Sequence, residues 1–368
     1  MSSEYLFPAR LTRRDFLKTA GATAAAAAAL PALGLADEPK ANAPVTIGSG
    51  KWTYTLDADW GKLPDGMKYG LGCALVVDSQ DRIFVTSRSA SPCVAIFDKD
   101  GKLLETWSKD FAQGVGMNTD QVVATAHGLY WNKESDGEYL YWTENVAPAS
   151  VKGQPSIGAR VYKTDMKGKV LYTLGNVTKE DSTSQKLPLT NPTDVAVAQN
   201  GDIYIVDGYG SQIVYRFDKN FKLIRSIGGR GKEHGKFNTC HGVWISTLKK
   251  DPEVYIADRH NNRIEVFSLE LDYKRTADGK DSRMPCCFYQ HDGHLYVPEL
   301  GARVSIYDAD DNPVARLGDG AGINPKEAPK HPDKFFQSHA LTVDSKGDIY
   351  VIEWLPYGRP RKFRHTPA

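Results

Sequence analysis

The chain has 368 residues, 25% of them charged and 41% hydrophobic, with a formal net charge of +1. This is the balance of a globular protein with ample core material, and it lacks the basic excess that binding to nucleic acid or to anionic lipid requires. The five cysteines, Cys73, Cys93, Cys240, Cys286 and Cys287, have no disulfide-framework spacing, and neither CxxC nor CxxCH occurs. They are expected to pack inside strands, with no redox pair and no haem.

The N-terminal run Thr12-Arg13-Arg14-Asp15-Phe16-Leu17-Lys18 resembles a twin-arginine export motif. An Ala-rich apolar stretch from Thr19 to Leu35 follows, and Gly34-Leu35-Ala36 forms a small-x-small cleavage site before Asp37. Residues 1–36 are expected to be a signal peptide handled by the Tat translocase of a prokaryote, leaving a periplasmic or secreted protein. A membrane anchor is the alternative, but the stretch is short and weakly hydrophobic for a span, so no stable insertion is expected after its removal. Residues 37–50, polar and Pro-containing, are expected to form a linker, and residues 51–368 the folded domain.

From there the sequence repeats one pattern: an apolar run, a turn with Gly or Asp, then a β-branched and aromatic run. The clearest unit is Asn191-Pro-Thr-Asp-Val-Ala-Val-Ala-Gln-Asn-Gly-Asp-Ile-Tyr-Ile-Val-Asp207, continued by Gly208 to Phe217. The next unit contains Gly242-Val-Trp-Ile and the run from Val254 to Phe267. Between them, Gly228-Gly-Arg-Gly lacks the Gly-Lys-Ser/Thr end of a phosphate loop and is expected to be a connector. Both units resemble NHL repeats. Six units start near Leu71, Thr125, Asn191, Thr239, Met284 and Gln337, which predicts an all-β, six-bladed β-propeller of NHL-repeat type. The last unit is one strand short, and Lys51 to Asp57 is expected to supply that strand and close blade six.

Aligning the units compares equivalent positions around the ring. On the innermost strands these are Cys73, His127, Thr193, His241, Pro285 and His339. The histidines fall on alternate blades, about 120° apart around the ring, a placement that suits three-histidine metal coordination. Three neutral nitrogens suit zinc and leave a fourth position open, whereas the bland alternative is that they bind channel water. At the end of the second strand Glu144, Asp207, Asp258, Glu299 and Glu353 recur, interrupted by Ser87, and this column is expected to be structural. One position later stand Arg88, Asn145, Gly208, Arg259, Leu300 and Trp354, with Tyr209 beyond Gly208. Two arginines and a tyrosine at one rim could bind a carboxylate and move a proton, or could simply be solvated rim residues with a packing tyrosine.

These residues resemble the peptidyl-α-hydroxyglycine α-amidating lyases, over approximately residues 65 to 368. The resemblance implies that His127, His241 and His339 ligate zinc, that Tyr209 is catalytic, and that Arg88 and Arg259 are the active-site arginines. Arg88 would assist Tyr209 with positive charge, and Arg259 would hold the substrate carboxylate as a fork. The implied reaction cleaves the C–N bond of a carbinolamide, a small molecule or peptide terminus of α-hydroxyglycine type, to glyoxylate and an amide. The family's disulfide cysteines are absent, with Gly210 where one would stand. Gln337 replaces a methionine near the metal, and Ala340 replaces the only carboxylate on a channel calcium, so calcium is disfavoured. Two other classes stay open: a non-catalytic propeller binding a ligand or protein, and a metal-dependent lactonase-type hydrolase. The latter predicts a carboxylate-rich calcium site, and the ring at the histidine level has no carboxylate.

Overall fold

Turn chemistry shapes the hairpins. In the computed structural model, which describes residues 43–146, 157–277 and 281–367, Asp78, Asp98, Asp165, Asp218, Asp308 and Asp344 all sit at hairpin turns. Each accepts hydrogen bonds from the backbone N–H groups two and four residues further on. A side-chain oxygen that satisfies two turn donors fixes where one strand stops and the next begins.

Between these turns the β-branched and aromatic runs pair antiparallel into six sheets. Blade 1 spans Gly72–Val77 to Leu103–Trp107, blade 2 starts with Ala126–Glu134, blade 3 with Asp194–Val197 and blade 4 with Cys240–Ser246. Blade 5 starts with Tyr289–His291 and blade 6 with Ser338–Val343. Blade 2 has a fifth strand, Ser184–Lys186, lying parallel to Val170–Gly175. The architecture is an all-β six-bladed propeller of NHL type. Its cores lie between blades: Tyr141, Val161 and Leu174 of blade 2 cluster with Val195, Ile203 and Ile205 of blade 3. Tyr204 and Val206 of blade 3 likewise meet Val243 and Ile256 of blade 4.

The chain ends close the ring as the repeat count requires. Tyr54–Asp57 pairs antiparallel with Arg361–His365, from Tyr54 opposite His365 to Asp57 opposite Lys362. Tyr54 is fully buried, and Arg364 pairs with Asp57 at 2.7 Å. Two corrections apply to the expected boundaries. Lys51 and Trp52 lie in a short 3-10 turn before the closing strand. Ordered sheet also starts earlier than Lys51, because Thr46–Ile47 pairs with Thr55 and Tyr54, inside the segment read as linker. The physical reason is the outer edge of the closing strand, whose backbone groups find a partner in the preceding residues.

The twin-arginine motif, its apolar stretch and the cleavage site lie outside the described residues, and among those described no helix is long and apolar enough to cross a membrane. All five cysteines are free thiols, four of them buried and Cys287 half-buried.

The recurrent carboxylate column is structural. Glu144 binds Arg160, Glu299 binds Arg303, and Glu353 binds Arg359, Arg361 and the backbone N–H of Phe336. Asp258 accepts from Asn238 N–H and Arg263, and Asp207 from Asn191 N–H at 2.5 Å. Ser87, which interrupts the column, does the same work through its hydroxyl oxygen, accepting from Gly70 N–H at 3.1 Å. All five carboxylates are buried; Asp207, Asp258 and Glu353 accept directly from the incoming connector, whereas Glu144 and Glu299 reach it through Arg160, which donates to Val115 O, and Arg303, which donates to Asp281 O.

Candidate active site

Each of the three histidines sits where its inner strand carries one residue more than its partner. Pairing passes from Ala126–Glu144 to Leu129–Trp142, from Cys240–Asp258 to Val243–Ile256, and from Ser338–Glu353 to Ala340–Ile352. Such bulges bend a strand and re-aim a side chain. Here they turn His127, His241 and His339 toward one another, with ring centroids 4.9, 5.0 and 4.9 Å apart. The candidate ligand atoms all lie within 4.8 Å of one another, and all three residues are buried.

The next blade fixes each ring. His127 Nδ1 lies 2.7 Å from Thr193 O, His241 Nδ1 2.8 Å from Cys286 O, and His339 Nδ1 2.6 Å from Cys73 O. A carbonyl only accepts, so each Nδ1 carries the proton and each Nε2 presents a lone pair. Gly242 makes room for this contact, since a Cβ there would stand 2.3 Å from Cys286 O. The ring of equivalent positions is thereby corrected in blade 5. Pro285 occupies the paired position opposite Glu299, and Cys286, one residue on, is the equivalent of the histidines.

Burial holds the imidazoles neutral. His127 and His241 lie well below the ordinary histidine pKa, chiefly through desolvation, then through neighbouring histidine and arginine charge, and His339 is pushed down to about 3. Three neutral Nε2 lone pairs therefore converge, and His339 Nε2 is buried without a hydrogen-bond partner among the described residues. A divalent cation fits this donor set, because it satisfies all three lone pairs at once where a single proton satisfies one. The carbonyl-anchored Nδ1–H groups are the support that metal-binding histidines characteristically have.

Tyr209 lies over the cluster. Its hydroxyl is 3.3 Å from His127 Nε2 and 3.0 Å from His241 Nε2, and it accepts from Arg259 Nη1 at 3.0 Å. The residue is 36% exposed while its hydroxyl reaches the buried histidines, so it spans the boundary between solvent and the cluster. Burial of its hydroxyl raises its pKa, and the charge and hydrogen bond of Arg259 pull it back, with a smaller contribution from Arg88. The positive charge hydrogen-bonded to Tyr209 is thus Arg259, and Arg88, which the sequence put in that role, contributes less. Arg88 donates to Ala126 O and to Asn145 Oδ1, and its guanidinium lies 5.0 Å from the Trp354 ring centroid. Trp354 in turn lies 5.0 Å from His339, centroid to centroid. Neither arginine has a carboxylate partner among the described residues, and Arg259 is buried with its Nε unsatisfied. A buried guanidinium left without an anion is costly, which suits a site that receives one.

The Tyr209 turn rests on supports that repeat comparison did not reveal. Gln212 donates to Gly208 O at 2.6 Å and accepts from Thr239 N–H at 2.6 Å, tying the turn to blade 4. Gly208 is required by space, as a Cβ there would stand 2.0 Å from Cys240 O. Asn145 links Arg88 to Pro192 O. Gln212 falls at no recurring column, so nothing in the sequence marked it, whereas Asn145 and Trp354 stood in the rim column without a role.

Below the histidines a cavity of about 290 Å³ is bounded by residues from the inner strands of all six blades, Asp194 among them. The ring lacks a carboxylate at the histidine level itself, but Asp194 stands beside the cavity with its pKa raised by burial to about 7.

Fold and site define a six-bladed β-propeller in which alternate blades converge three neutral histidines at one end of the central cavity, under a tyrosine–arginine rim. A 6-bladed beta-propeller family model matches residues 182–306, and a TAT (twin-arginine translocation) pathway signal sequence model matches residues 10–30. NHL repeat-containing protein 3 of Homo sapiens is 27% identical over 312 residues, covering 82% of each chain. A probable peptidyl-α-hydroxyglycine α-amidating lyase of Caenorhabditis elegans is 31% identical over 150 residues, 39% of this chain and 37% of that protein. A streptogramin B lyase structure shares the fold, with a TM-score of 0.52 at 14% identity, covering 85% of this chain and 98% of its own. The chain is therefore a propeller with an export signal, homologous to NHL-repeat proteins and, over part of its length, to amidating lyases.

Proposed function

We propose that this protein is an exported lyase that cleaves the C–N bond of an α-hydroxyglycine-type carbinolamide, delivered by the Tat translocase to the periplasm or the medium of a prokaryote. The observation that carries this reading is the Tyr209 hydroxyl, held between His241 Nε2 and Arg259 Nη1 at 3.0 Å from each. His127, His241 and His339 would hold zinc. Bound there, zinc would supply Lewis-acid chemistry to an oxygen of the substrate.

The chain's own residues do the remaining work. Arg259, with Arg88 across the rim, binds the substrate carboxylate and orients the carbinol carbon. Tyr209 takes the proton of the substrate hydroxyl, and the hydrogen bond from Arg259 stabilises the phenolate this requires. The O–H electron pair forms the aldehyde C=O, the C–N pair leaves with nitrogen, and nitrogen gains a proton. One proton therefore moves from oxygen to nitrogen overall, and glyoxylate and an amide depart. Trp354 and the Arg88–Asn145 pair border the same rim.

The test is glyoxylate release by the purified, zinc-replete protein from an N-acyl and an N-carbamoyl α-hydroxyglycine. Turnover of either supports the reading, and absence of glyoxylate from both sinks it.

A further inference from the structure

The cavity below the histidines is a second chamber. Its lining includes His127, His241 and His339 as one wall but none of Tyr209, Arg88, Arg259 or Trp354. It follows the inner strands along His127 to Asn132, six residues, or roughly 20 Å at about 3.3 Å per residue. Of the five Phe, Tyr and Trp residues in the lining, Tyr130, Trp244 and Tyr289, from three blades, stand next to one another. Trp244 lies 5.7 Å from Tyr130 and 5.6 Å from Tyr289, centroid to centroid. The Trp244 Nε1–H is buried with no acceptor among the described residues. Asp194 is the carboxylate of the lining, close enough to Tyr130 and Cys287 to act on both electrostatically.

We infer that this chamber binds a small organic ammonium ion carrying a hydroxyl or carbonyl oxygen, with Asp194 as counter-ion, Tyr130, Trp244 and Tyr289 as the aromatic wall, and Trp244 Nε1–H donating to the oxygen. Aromatic faces attract alkylated ammonium groups because the ring quadrupole is negative on its face and the cation is weakly hydrated. A volume of about 290 Å³ suits a molecule of that size. A hard cation such as calcium is a poor occupant. It needs six to eight oxygens, roughly, and Asp194 is the single acidic residue of the lining. The carbonyls of Cys73, Thr193 and Cys286 each accept from a histidine. The two Asp194 oxygens accept from Val195 N–H at 2.9 Å and Val243 N–H at 3.1 Å.

The inference stands apart from the lyase reading, since its readout is binding. Titration calorimetry on the purified protein would compare choline with its neutral isostere 3,3-dimethylbutan-1-ol. Choline should bind one to one and at least tenfold more tightly than the isostere, and Asp194→Asn and Trp244→Leu should each weaken choline at least tenfold. Equal affinity for the two compounds would reduce the chamber to an unselective apolar cavity and overturn the proposal. Undiminished choline binding by Asp194→Asn, no choline binding by the wild-type protein, or stoichiometric calcium binding that Asp194→Asn abolishes would overturn it as well. The isostere comparison uses the wild-type chain and decides the matter even where a variant fails to fold.

Discussion

The hydroxyl of Tyr209 lies 3.0 Å from Nε2 of His241, a nitrogen whose ring is oriented by the carbonyl of Cys286 in the next blade. A potential base from blade 3 and a potential metal ligand from blade 4 thus share one point in space. Removing the hydroxyl while keeping the ring separates the two functions. Tyr209→Phe is expected to lower kcat on an α-hydroxyglycine substrate by about 10²–10⁴-fold, the range for loss of a general base, with metal content unchanged. Steady-state kinetics alongside metal analysis checks this; unchanged kcat would remove Tyr209 from the chemistry.

The histidine cluster makes a separate prediction. The wild-type protein should purify with about one zinc per chain, and His241→Ala should lose it, because two nitrogens leave a four-coordinate site half made. Dialysis against a chelator should abolish activity, and added zinc should restore it in the wild type but not in the variant. Elemental analysis of the two proteins is the measurement. Equal metal content would mean that the triad is not the metal site.

Ring closure can be weakened at one buried side chain. Tyr54 is fully buried in the strand that completes blade 6, where it sits in the cluster with Val304, Leu317 and Phe363. Tyr54→Ala should cost about 3–5 kcal/mol, as other large-to-small aromatic truncations do, and deletion of residues 44–57 should cost more. Thermal unfolding monitored by circular dichroism tests both. An unchanged Tm in the deletion would show that closure contributes nothing to the ring.

A buried carboxylate on blade 4 predicts a pH dependence. Burial pushes Glu253 up, but hydrogen bonds and charge from Arg275 and Lys274 outweigh it and hold the carboxyl at about 2, below the ordinary 4.5. A depressed folded-state pKa contributes stability that is fully present above 4.5 and lost as pH falls toward about 2. Glu253→Gln should therefore destabilise by about 1–2 kcal/mol at neutral pH, modest because Arg275 and Lys274 reach solvent, and by progressively less below pH 4.5. Urea unfolding at pH 7 and pH 3 compares the two proteins; an equal penalty at both values would rule out the ion pairs as its source.

The repeat pattern alone was enough to count six blades, to expect a closing strand from the N-terminus and to place the histidines on alternate blades. Each of these depends on local periodicity and turn chemistry, which are written in consecutive residues. The same holds for the carboxylate column, where Ser87 substitutes for an acid that elsewhere ties down the incoming connector. Tertiary structure alone decided which arginine reaches Tyr209, that Cys286 and not Pro285 faces His241, and that Gln212 braces the tyrosine turn. Those facts depend on strand bulges and on the distance between neighbouring blades. A one-residue bulge adds no signature to the sequence, yet it turns His241 toward His127 and His339, and so determines what the rim above them can do.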